Sequence, residues 1–178
     1  MAHVGRNVIS LQLLEQGLKH LLPLVDLEGA PDALSNLKQR ADKVSLKTLG
    51  ALGGRFLENV TTSRDLDAEL DQLIKERNQL VHHFHSCGLY DLSSIEGCAA
   101  AVGRLGAQHQ KVRRLARVVD LLLHAAFETA CETSFAGTPE YADFRSLCDE
   151  FARSRGVWRH STSETGDEIV ETWLMRAD

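Results

Sequence analysis

The sequence predicts an all-α protein, a bundle of five or six helices. Three observations carry that reading. Apolar residues recur at spacings of three and four in nearly every segment. No segment alternates convincingly with a period of two. Serine, proline and glycine punctuate the chain where such helices should begin and end.

The elements follow in order. Residues 4 to 25, with "VISLQLLEQGLKHLL" at their centre, form the first helix, ending near Pro23. Pro31 and Asp32 open a short helix running to about Arg40. Leu46 to Val60 is the third; Gly50, Gly53 and Gly54 either weaken it or let a neighbour pack closely. Ser63 caps the fourth, with Asp65 and Asp67 favourably placed in its first turn. That helix runs to about Ser86, where Cys87-Gly88 supplies the stop. Ser93 or Ser94 caps the longest helix, which extends to about residue 134 with Glu96 in its first turn. Pro139 starts a final helix ending near Gly156. The closing segment, "GVWRHSTSETGDEIVETWLMRAD", sets both tryptophans around a polar linker, and periodicity assigns it no element. The organisation expected is a helical bundle over 1–135, with a C-terminal helix and tail over 136–178 packed on it or extending it.

Bulk properties narrow the function classes. A chain of 178 residues fits one domain with a substantial core. Hydrophobic content of 43% and charged content of 25% are ordinary for a soluble globular protein. The net charge of −5 argues against wholesale coating of nucleic acid and leaves room for a local basic groove. The start lacks the uninterrupted apolar run of a signal peptide, and no stretch is long enough to span a bilayer. The expectation is therefore a cytoplasmic chain with no membrane partner. Cys87, Cys98, Cys131 and Cys148 are widely spaced with no CxxC pair, and in that compartment they read as reduced thiols. No Walker loop, GxSxG, HExxH or dinucleotide fingerprint is present, which removes the chemistries those motifs serve.

One stretch resists a purely structural reading: "KERNQLVHHFH", residues 75 to 85. At about 100° per residue, Leu66, Leu70, Leu73, Ile74, Leu80, Val81 and Phe84 share one arc of roughly 120°. Arg77 falls at the middle of that arc. Asn78, His82 and His85 gather at one edge, and Glu76 and His83 lie on the far, polar side. An arginine cannot give up its charge, and burying it unpaired costs several kcal/mol. A buried carboxylate, a wet cleft or an anionic ligand such as phosphate must compensate it.

Arg77, a polar Asn78, three further residues and then His82 resemble the Arg-x4–6-His signature of the HEPN superfamily, small all-α domains found in toxin–antitoxin systems, abortive-infection proteins and RNA-guided effectors. The wording "ERNQLVHHF", its place near a helix end and the all-α pattern around it carry the resemblance over residues 4 to 135. It implies a four- or five-helix bundle that dimerises so that two copies of the motif face one cleft and cut RNA without metal. No cofactor is implied. RNA, a second copy of the chain and an antitoxin or defence-system protein are the partners it implies.

The residue types suit that chemistry. Imidazole titrates near neutral pH, so His82 can take or return a proton. Arg77 supplies a permanent, planar clamp for phosphate, and Asn78 can orient the phosphate or hold Arg77. His83, His85, Arg113 and Arg114 are the candidate substrate contacts. Arg77 and His82 stand roughly 140° apart on one helix, so a site bridging two copies would bring both to one phosphate. The sequence departs from toxin–antitoxin members of the Arg-x4-His-x-Tyr type, in which a tyrosine two residues after the histidine receives a neutralising nucleotide. Here that residue is Phe84, which has no hydroxyl to modify.

Each feature has a plainer competitor. Arg77 can be half of a buried ion pair with Glu15 or Glu128. His83 and His85 suit the C-terminal end of a helix dipole as solvated residues. His82, His85 and Cys87 have metal-ligand chemistry but no clear fourth ligand. The run "KVRRLAR", with Lys111, Arg113, Arg114 and Arg117, is either a solvated face or a track for RNA phosphates. Two function classes stand: a HEPN-type endoribonuclease, or a catalytically silent HEPN-like module that binds RNA, a nucleotide or a protein. A third is a dimeric regulator whose helices only scaffold assembly.

Overall fold

The computed structural model describes residues 2–25, 34–61, 63–84, 86, 88, 90–155, 161, 162, 168 and 169. Six helices account for most of them: α1 (Ala2–Val25), α2 (Leu34–Ser45), α3 (Leu49–Asn59), α4 (Arg64–His82), α5 (Ile95–Thr133) and α6 (Tyr141–Arg155). The fold is the all-α bundle that the spacing predicts. One short antiparallel pair, β1 (Ser161–Thr162) with β2 (Glu168–Ile169), lies in the segment to which periodicity gave no element. Pro31, Asp32, His85, Cys87 and both tryptophans, Trp158 and Trp173, lie outside the described residues.

The helix ends show what local signals decide. α1 continues two residues past Pro23, because a proline this late interrupts only the last turn. α2 reaches Ser45 rather than Arg40, since Leu37 and Val44, seven apart, bury on one face. α3 begins at Leu49 rather than Leu46, which is 95% exposed. Its start is fixed from outside: the Leu49 amide donates to Glu15 Oε2 of α1 at 3.1 Å, while the Thr48 side chain makes no capping bond. Ser63 caps α4 as expected, accepting from the Leu66 amide at 3.3 Å. α4 ends at His82, earlier than Ser86, although Gly88 does take the left-handed backbone expected of a stop. At α5 the cap is Ser94, which accepts from the Gly97 amide at 3.0 Å. Asp91 braces that turn, accepting from the Ser93 amide at 2.8 Å and from both serine hydroxyls, bonds that hold its carboxyl below the usual range.

The core centres on α1 against α5. Asn7 meets Leu105 and Gln108, and Gly17 meets Val119, so the two helices run in the same direction. Leu11, Leu14, Leu18, Leu21 and Leu22 bury against Leu105, Val112, Leu115, Val119 and Leu123. A Cβ on Gly17 would come within 3.0 Å of Val119 Cγ1, so this glycine sets how closely the helices approach. Gly53 does the same between α3 and α4, where a Cβ would meet Ile74 Cδ1 at 2.7 Å. Phe144 and Cys148 bring α6 into the same continuous core.

One polar pair interrupts the seam. Asn7 is fully buried and Gln108 nearly so, and Asn7 Nδ2 donates to the Leu105 carbonyl and to Gln108 Oε1, both at 2.8 Å. Asn7 Oδ1 and Gln108 Nε2 have no partner among the described residues. Such a pair fixes the register of α1 on α5 at some cost in stability. Asn7→Ala should destabilise the fold by about 1–3 kcal/mol, because Gln108 loses its donor in a site water cannot reach. Replacing both residues with leucine should restore most of that loss. Urea denaturation reads both variants, and an Asn7→Ala protein as stable as wild type would contradict this account.

Candidate functional site

The end of α4 brings together three of the residues singled out above. The Arg77 guanidinium donates from one nitrogen to Asn78 Oδ1 at 3.1 Å and approaches His82 Nε2 at 3.3 Å. Since a guanidinium only donates, Nε2 must accept, which puts the ring proton on Nδ1. The 140° between Arg77 and His82 therefore does not separate them. The long arginine side chain wraps the helix surface and closes the gap within a single chain.

The surroundings explain how the charge is tolerated. Arg77 is half-buried, and with Val81 it faces Val8, Leu11, Gln12 and Glu15 of α1 across a cleft of about 90 Å³. Its stem lies against apolar surface while the guanidinium reaches the exposed end of the helix, as snorkelling side chains do. The buried ion pair offered as its structural explanation is not formed. Glu15 bonds Lys19 at 2.9 Å and caps α3, and Glu128 bonds Arg145 at 2.7 Å. Among the described residues, Arg77 has no carboxylate within ion-pair distance.

The helical wheel needs two corrections. Val81, expected in the buried arc, is 44% exposed. Glu76, expected on the polar side, is half-buried and bonds Lys111 of α5 at 2.8 Å. Both follow from the placement of α5, which packs nearer the Glu69–Glu76 side of α4 than the apolar arc alone implies. Arg114 pairs with Glu69 on that same flank. Two cations of the basic run thus tie α5 to α4. The spacing could have shown it: Glu69 and Glu76 are seven apart on α4, and Lys111 and Arg114 three apart on α5, each pair on one face.

The remaining candidates lie elsewhere. His83 is the exposed C-cap of α4, its ring edge-on to His82 with centroids 6.4 Å apart. His85 and Cys87 lie outside the described residues, and among those described no group of three or more His, Cys, Asp or Glu is arranged to hold a metal. Phe84 stacks on Tyr90 with centroids 4.8 Å apart, buttressing the chain just beyond the site. Arg113 is exposed, one turn after His109 on α5, and forms no ion pair among the described residues. Sequence reasoning did not single out Ser10 and His109, which meet across 99 positions of chain at 3.3 Å. It gave Glu15 only as a partner for Arg77, whereas its carboxylate holds the start of α3 beside the cleft.

Two buried thiols complete the inventory: Cys131 Sγ and Cys148 Sγ lie 3.7 Å apart between α5 and α6. Burial pushes the Cys148 thiol well above its ordinary range, so it remains protonated. Among the described residues no helix is long and apolar enough to cross a membrane. Comparison of the chain with protein-family models, with curated proteins and with solved structures returns no match.

Proposed function

We propose that this chain is a HEPN-type, metal-independent endoribonuclease whose reacting groups are Arg77, Asn78 and His82. One observation carries the reading: a half-buried arginine that no carboxylate neutralises, held 3.3 Å from a histidine nitrogen at the exposed end of a helix. A permanent cation beside a general base, open to solvent, is what phosphodiester cleavage by a neighbouring hydroxyl requires.

As substrate enters, the Arg77 guanidinium turns from His82 Nε2 to the phosphate, and the freed Nε2 takes the proton of the ribose 2′-hydroxyl. The 2′-oxygen then bonds to phosphorus, the bond from phosphorus to the 5′-oxygen of the next nucleotide breaks, that oxygen takes a proton from solvent water, and a 2′,3′-cyclic phosphate remains. Arg77 clamps the non-bridging oxygens as their charge grows. Asn78 holds the guanidinium in that position. His83, the exposed C-cap of α4, extends the contact surface for substrate.

A homodimer is part of the proposal. Val81, which lines the cleft, and Ile9 and Leu13 on the outward side of α1 remain about half exposed, and a second copy would cover apolar surface of this kind. The contact between Arg77 and His82 forms within one chain, so the dimer is no longer needed to join them. It would instead set two complete sites side by side. A bacterial defence or toxin–antitoxin system is the setting that the resemblance implies, with a protein partner that blocks the cleft in place of modification at Phe84.

The direct test is cleavage of single-stranded RNA in excess EDTA. The charge clamp and the base that a metal centre would supply are already assigned to Arg77 and His82, so cleavage should persist. The 5′ fragments should end in 2′,3′-cyclic phosphate, single-stranded DNA should survive, and light scattering should show a dimer at micromolar concentration. Activity lost on chelation and regained with zinc or magnesium would overturn the assignment. RNA binding without any cleavage would favour the silent module.

A further inference from the structure

The α1–α5 seam carries a second positive feature, on the side of α1 away from the Arg77 cleft. Residues 2–14 of α1 and 97–119 of α5 contain no acidic residue, in a chain whose acids outnumber its lysines and arginines. Across this seam Ser10 Oγ lies 3.3 Å from His109 Nδ1. One turn before Ser10 on α1 stands Arg6, itself 3.3 Å from His3 Nδ1. One and two turns after His109 on α5 stand Arg113 and Arg117. Arg6, Arg113 and Arg117 are exposed, and none has an ion-pair partner among the described residues. Lys111 and Arg114, by contrast, are engaged by Glu76 and Glu69. Gly5 and Gly106 flank the row with open space where a side chain would stand. Asp120 closes the row at its far end.

We infer that Arg6, His109, Arg113 and Arg117 form a track for the phosphodiester backbone of an RNA strand, separate from the Arg77 site. The inference deepens the ribonuclease reading and rests on it for the choice of RNA among polyanions. The row is spread along the helix: from His109 through Arg113 to Arg117 it spans about 12 Å at 1.5 Å per residue, a length suited to a strand rather than one phosphate group. Arginine forks grip phosphate oxygens in pairs. Burial lowers the pKa of His109, and repulsion from the Arg6 and Arg113 guanidinium groups lowers it further. A phosphate oxygen seated there would relieve it. The row offers no Phe, Tyr or Trp on which bases could stack, so the track reads backbone charge and not sequence.

The experiment is fluorescence anisotropy of a labelled single-stranded oligouridylate titrated with the full chain over a salt series. Three contacts on a single strand give log K against log salt a slope of about −2, at about 0.7 per phosphate neutralised. The triple variant Arg6→Gln, Arg113→Gln, Arg117→Gln should lose most of that slope and about tenfold or more in affinity at low salt, with unchanged circular dichroism. Arg114→Gln, whose cation already serves Glu69, should keep the wild-type slope. A triple variant that binds with wild-type affinity and slope would sink the inference, as would a wild-type chain with no measurable RNA affinity at low salt. Polyglutamate competing as well as RNA would reassign the face to an acidic protein. The two readings fail separately. RNA held by this row but never cut removes the nuclease and leaves the track. RNA cut by the triple variant with unchanged KM removes the track and leaves the nuclease.

Discussion

Arg77→Leu should abolish most RNA cleavage while leaving the melting temperature unchanged or raised. The activity loss follows from the position of the guanidinium beside His82, where it meets charge that develops only as the phosphorus becomes pentavalent. Removing one such donor from an oxyanion site costs about 10²–10³-fold in rate. The stability arm follows from what Arg77 does not do. No carboxylate among the described residues depends on it, so leucine strands no partner. Leucine also extends the apolar wall made by Val8, Leu11 and Val81. Had Arg77 been half of a buried ion pair, the same change would cost about 3–5 kcal/mol. Arg77→Lys should recover activity only in part, keeping the charge but losing the planar fork that reaches Asn78 and a phosphate together. Paired melting curves and RNase assays decide the matter: a large fall in melting temperature with full activity per folded molecule would end the catalytic assignment.

What was legible in the sequence, and what was not, divides along physical lines. Ser63 and Ser94 were readable as caps because a hydroxyl and the amide three residues on form a local motif. The start of α3 was not, because its first amide is satisfied by Glu15, thirty-four positions earlier, and not by Thr48. The Arg77–Asn78–His82 cluster was visible as a pattern within one helix. Angle alone put Arg77 and His82 on different stripes and suggested a site bridging two chains, and the wheel fails there because it plots Cα directions while arginine carries its charge several bonds away. Val81 and Glu76 were misplaced for another reason. An apolar arc gives the average direction of the core, but which flank the next helix covers depends on Lys111 and Arg114 reaching Glu76 and Glu69. The row from Arg6 to Arg117 needs the parallel packing of α1 on α5, which no local window contains.

Phe144→Ala should produce the largest stability change of any single truncation in the C-terminal part of the fold. Phe144 is 1% exposed and stacks on Phe135 with centroids 4.1 Å apart, and it meets Phe127 edge-on at 5.8 Å. Together these rings are the main apolar anchor of α6; the part-buried Arg145–Glu128 pair adds a polar tie to α5. Truncating a fully buried phenylalanine costs about 3–5 kcal/mol in transfer free energy and residual cavity. How that cost is expressed distinguishes two organisations of the chain. If α6 folds with the bundle over 1–135 as one cooperative unit, the whole urea transition shifts to lower midpoint with an unchanged slope. Should α6 instead be a separable addition, amide exchange would rise over 141–155 alone while α1 and α5 keep their protection. Phe144 and Cys148 belong to the same continuous core as Leu123 and Phe127, so the expected result is the global shift. Exchange confined to α6 would show instead that the bundle ends before Tyr141 and that the C-terminal helix is docked on a finished core.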